Sequence, residues 1–158
     1  MPKGKLSEKE KRALRNKAKA ELNYMERVLT NDEKREVLDE FKNKFNVCET
    51  VCKIILKRYL VEKEGKVVDD DKLYLDMKRI PAAFKLAGYD FEKDLLTKLF
   101  GSEKKKGHKT AKKLRNAVTH GLKSEDVKEI MERKEELFGY MDQFLEKIRT
   151  FDDSKEQE

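Results

Sequence analysis

The chain has 158 residues, 44% of them charged and 37% hydrophobic, and carries a formal net charge of +6. A chain of this length buries roughly 70% of the surface it exposes when unfolded, so one real core is available and a disordered polyelectrolyte is excluded. Gly and Pro together number only nine, which favours long solvated helices over sheets and loops, and no stretch approaches the length of apolar chain that a membrane span needs.

The lysine-rich start lacks the apolar core of a secretory signal, so a cytoplasmic location is expected. Ser7 and Glu10 stand at capping-box spacing, and Leu14, Ala18, Leu22, Met25 and Val28 or Leu29 recur at three- and four-residue steps behind them. This predicts a first helix running to about residue 30. Its stripe is expected to cover the protein's own core; the competing expectation is assembly with a partner protein. Asn31 or Asp32 ends that helix and caps the next.

The second helix is the strongest. Val37, Leu38, Phe41, Phe45, Cys48, Cys52, Ile55, Leu56 and Tyr59 form one stripe over roughly 30 residues, or about 45 Å. Cys48 and Cys52 share its apolar face and are expected as buried, reduced thiols. A zinc site would need two more ligands, for which no convincing pair exists, so neither a metal nor another cofactor is implied.

EGKV at 64–67 predicts a turn, and Asp69, Asp70 and Asp71 are expected to cap a third helix rather than to bind a metal. That helix, KLYLDMKRI, meets Pro81, which either kinks it or opens a new short helix through AAFKLAG, closed by Gly88. A short helix over about 91–100 precedes the positive, flexible loop GSEKKKG. A helix from about Lys109 turns Ala111, Leu114, Ala117 and Val118 inward and stops at Gly121, expected as the left-handed residue past its end. Ser124 is expected to cap one long final helix carrying Val127, Ile130, Met131, Leu137, Phe138, Met141, Phe144, Leu145 and Ile148, before a polar tail, 152–158, frays. The reading is an all-α antiparallel bundle forming a single domain over 1–158, with long N-terminal, second and C-terminal helices.

The charge is clustered. Residues 101–123 hold eight Lys or Arg against the single acid Glu103, and residues 3–19 hold eight against two. Such clusters point to a polyanionic partner, because cations gathered on one surface release counterions from phosphates.

Within the second cluster, KKLRNAVTHG at 112–121 contains one of only two histidines. Asn116 and His120 are four apart and about 40° from each other, so they share a helical face. Arg115 lies about 140° from His120, but its long stem lets the guanidinium swing toward the imidazole. The plain alternative is a histidine that merely answers the helix dipole in the last turn. Against it stands the chemistry of the set: a histidine near pKa 6.5 moves protons at neutral pH, and a guanidinium grips a phosphate at two points. RNA supplies its own nucleophile, the 2′-hydroxyl, so cleavage needs a base and a cation and no metal. His108, in the basic loop, has no spaced partner and is expected to be solvated.

Arg115, Asn116 and His120, followed by a long final helix, resemble the R-x4-6-H motif of HEPN domains, small helical bundles of prokaryotic toxin–antitoxin, abortive-infection and CRISPR defence systems. The resemblance implies a homodimer in which two copies of the motif form one cleft that cuts single-stranded RNA without metal. His120 would act as general base or acid, Arg115 would bind and polarise the scissile phosphate, and Asn116 would orient either. Lys104, Lys105, Lys106, Lys109, Lys112 and Lys113 would guide the RNA backbone. Leu122 stands where HEPN toxins paired with nucleotidyltransferases often carry tyrosine, which speaks against that partner and leaves another antitoxin, protein or RNA, open. The rival expectation is a non-catalytic helical module that binds RNA or an acidic protein through its basic surfaces.

Overall fold

In the computed structural model, residues 6–102 and 107–151 are described. They form seven α-helices and no strand: α1 (Glu8–Thr30), α2 (Asp32–Glu64), α3 (Ile80–Leu86), α4 (Lys93–Phe100), α5 (Ala111–His120), α6 (Ser124–Glu132) and α7 (Lys134–Thr150). The tail at 152–158 and the lysines at 104–106 lie outside the described residues. Among the described residues, no helix is long and apolar enough to cross a membrane.

The 33-residue α2 is the spine: α1, α3, α5, α6 and α7 pack along it, and α4 reaches it through Phe100, whose ring lies 6.0 Å from that of Phe45. Its stripe of Val37, Leu38, Phe41, Phe45, Cys48, Cys52, Leu56 and Leu60 is buried. Around it gather Phe84 of α3, Leu96, Leu99 and Phe100 of α4, Leu114 of α5, Ile130 of α6, and Leu137, Met141 and Phe144 of α7, making one continuous core. Phe144 is the aromatic hub: it stands edge-on to Phe84 and Phe100 and stacks on Phe91. Cys48 and Cys52 are free and buried, and burial pushes both thiols up to about 12.

Capping follows the sequence at the first two helices. Ser7 and Glu10 exchange backbone-to-side-chain hydrogen bonds, each of 3.1 Å, and the Asn31 side chain accepts from the Lys34 amide at the start of α2. Gly65, with φ of 62°, closes α2 in the left-handed conformation that glycine adopts without strain.

Four expectations are corrected. The aspartate triplet caps no third α-helix: Asp70–Lys72 is a single 3-10 turn, with Asp70 drawn to Lys57 at 2.9 Å, and the chain then alternates with Leu73 and Leu75 inward. Of the two alternatives at Pro81 the chain takes the second, since the proline opens a new helix in the first turn, where its missing N–H costs nothing. The final helix is two, α6 and α7, broken at Arg133 (φ −101°, ψ 15°), whose guanidinium is spent on the Lys109 carbonyl and Glu129. Gly121 has φ of 177° and is simply extended, while Lys123 rather than Ser124 takes the capping position of α6.

The first helix departs furthest. Only its C-terminal part packs, through Val28, Met25 and Tyr24. Residues 8–20 are exposed throughout, with Leu14 and Leu22 each 57% accessible. Among the described residues, this half of the stripe covers nothing.

Candidate active site

Thr110 starts α5. Its hydroxyl accepts from the Lys113 amide at 3.3 Å and donates to the Gly101 carbonyl at 2.7 Å, tying the helix start to the end of α4. Ala111 and Leu114 anchor the helix in the core, and Ala117 and Val118 are half-buried. The polar residues are therefore forced to the flanks and the free end.

Arg115 does not swing toward His120. Its guanidinium turns across to α2, where Nη2 donates to Glu49 Oε2 at 2.5 Å and Nη1 to Glu49 Oε1 at 3.2 Å and Asn46 Oδ1 at 2.6 Å. The planar group also lies 4.9 Å from the centre of the Phe45 ring. A two-point carboxylate pair, an amide and an aromatic face hold it with only 14% of its side chain exposed. Nε donates to Asn116 Oδ1 at 3.1 Å. Glu49, Asn46 and Phe45 are thus parts of this site that motif spacing did not reveal; the one signal was an acid and an amide beside the apolar stripe of α2.

Asn116 and His120 are exposed. Asn116 turns its amide oxygen to Arg115, and the His120 side chain makes no hydrogen bond or ion pair with any described residue. Just beyond, Glu21 of α1 reaches over: its two oxygens accept from the Ser124 amide and hydroxyl, at 2.5 and 2.6 Å. These bonds hold the Glu21 carboxyl below its ordinary range.

The lysines expected to guide RNA divide. Lys109 is committed to a structural pair, its ammonium 2.5 Å from the buried Asp126 carboxylate, which raises its pKa. Lys112 is only 7% exposed; its Nζ donates to Ser102 Oγ at 2.8 Å and sits 5.1 Å from the centre of the Tyr74 ring, and burial lowers its pKa. Neither is the free surface cation that was expected, because each stem runs inward from the helix start. Lys113 is exposed, as is His108. Among the described residues, no group of three or more His, Cys, Asp or Glu side chains comes together as a metal site would require.

Compared with protein families, with curated proteins and with solved structures, the chain matches none.

Proposed function

We propose that the chain is a metal-independent endoribonuclease that cuts single-stranded RNA at a cleft shared by two copies. The observation that carries this reading is the end of α5: a free, exposed imidazole at His120, one turn from an exposed Asn116 whose amide is bonded to Arg115. In this reading one His120 takes the proton from the 2′-hydroxyl, the 2′-oxygen bonds to phosphorus, and the bond to the 5′-oxygen breaks. The second copy's His120 returns a proton to that leaving oxygen. The products are a 2′,3′-cyclic phosphate and a 5′-hydroxyl. Arg115 neutralises the charge building on the phosphate, with Asn116 holding its Nε. Such an enzyme would serve as a cytoplasmic toxin or defence protein restrained by an antitoxin.

The Glu49 carboxylate occupies the guanidinium edge that a phosphate would grip, so substrate and Glu49 compete for Arg115. Glu49→Gln, which weakens that competitor, is expected to raise the cleavage rate in EDTA, while Arg115→Ala and His120→Ala each abolish cutting. Full activity in both alanine variants would remove the reading.

The same two-point grip favours a second reading, in which Arg115 is a structural tie and the protein binds RNA or an acidic protein without cutting. It predicts salt-sensitive RNA binding that His120→Ala leaves unchanged, and no cyclic-phosphate product.

A further inference from the structure

The chain has nine arginines. Six are in ion pairs: Arg35 with Asp32, Arg58 with Glu62, Arg79 with Glu64, Arg115 with Glu49, Arg133 with Glu129 and Arg149 with Glu146. Arg27 lies over the Tyr24 ring. Arg12 and Arg15 alone pair with nothing among the described residues, and they stand side by side on the exposed half of α1. With Lys19 they fall at steps of three and four, on an arc about 60° wide.

Beside that arc runs the uncovered stripe of Leu14, Ala18 and Leu22, which continues the line that Met25 and Val28 bury further along. Residues 8–20 extend about 20 Å at 1.5 Å per residue. The overhang is therefore an arm with one apolar edge and one basic edge, both unsatisfied. Two such arms do not suit each other: residues 8–19 hold six cations and two acids, a net +4. The arm needs an acidic landing surface with apolar residues in it.

The chain offers one. Between the start of α2 and the end of α7 lies a groove lined by Glu36, Asp39, Glu40, Val47 and Leu145. The three carboxylates are exposed and, among the described residues, have no cation partner, while Val47 is 53% accessible. Lys44 and Arg149, the cations lining the same groove, are already engaged by Asp142 and Glu146. We infer that the exposed arm of α1 docks in the α2–α7 groove of a second copy, its leucines on Val47 and Leu145 and its arginines on Glu36, Asp39 and Glu40. Reciprocal exchange closes a two-fold dimer and leaves no free arm. A phosphate backbone would satisfy the arginines but leave the leucines in water, which is why a protein surface is preferred. This inference does not rest on the cleavage chemistry.

Sedimentation of the full chain at low salt tests it, with circular dichroism as the check that each variant is folded. The wild type is expected to give a dimer. The double reversals Arg12→Glu/Arg15→Glu and Asp39→Lys/Glu40→Lys are each expected to lose it, and the four changes combined in one chain to regain it. A wild type that is monomeric at every concentration overturns the inference, as does a dimer that survives either reversal or is not regained when the two are combined. Loss of RNA binding in Arg12→Glu/Arg15→Glu with the dimer intact overturns it too, in favour of a nucleic-acid arm.

Discussion

Helices α1 and α2 carry the same kind of apolar stripe and meet opposite fates. In α2 the stripe is buried from Val37 to Leu60 because the other helices surround it. In α1 it is buried at Met25 and Val28 and bare at Leu14 and Leu22. Periodicity tells which face of a helix avoids water; only the arrangement of the other helices decides whether anything stands there to exclude it.

The sharpest way to break this comparison is to truncate one residue on each stripe. Phe45→Ala on α2 is expected to cost about 3–5 kcal/mol in a urea melt, because a fully buried ring leaves a cavity. Leu14→Ala on α1 is expected to fall within about 0.5 kcal/mol for the monomer, as for an ordinary surface change. Equal losses would show that the α1 overhang is packed after all.

Next in size is Arg115→Ala, which takes the two-point partner from the Glu49 carboxylate and leaves it the longer pair with Lys53 at 3.8 Å. A loss of about 1–3 kcal/mol is expected by the same melt, reduced when Glu49→Gln is added, since a neutral amide is cheaper to leave half-buried.

The buried face of α2 also carries an alkaline pH signature, whereas the shifted groups of α1, Glu10 and Glu21, are carboxylates lowered by their bonds to Ser7 and Ser124. Both thiols have folded values near 12 against an ordinary 9.0, so folding favours their neutral forms. Their contribution is complete below pH 9 and is lost as pH rises toward 12, where the unfolded chain ionises first. Denaturant midpoints should fall through that alkaline window, and less steeply in Cys52→Ala.

Smallest is Ser7→Ala at the head of α1. Losing the capping box is expected to weaken the first turns by about 1 kcal/mol. Because the first turns of α1 are exposed, faster amide exchange there should report it while the global melt stays put.

The all-helical fold was legible because its signals are local: the α2 stripe, the Ser7–Glu10 box, the Asn31 cap and Gly65 each act within a few residues. What escaped depends on partners far along the chain. The break at Arg133 lies inside a nearly continuous apolar stripe and arises where its guanidinium reaches the Lys109 carbonyl. The candidate site shows the same division. The shared exposed face of Asn116 and His120 follows from helical spacing, but the direction of Arg115 is set by Glu49, 66 positions earlier. Lys109 and Lys112 read as solvated charges in the sequence, yet Asp126 and Ser102 claim them.

The grip of Glu21 on Ser124 has a mechanical consequence. It clamps the middle of a long rod to the junction between α5 and α6, so the rod has a fulcrum, with the exposed arm on one side and the packed turns on the other. The same carboxylate thus ties the helix that bears the arm to the strap at 121–124, directly after the helix end that carries the imidazole.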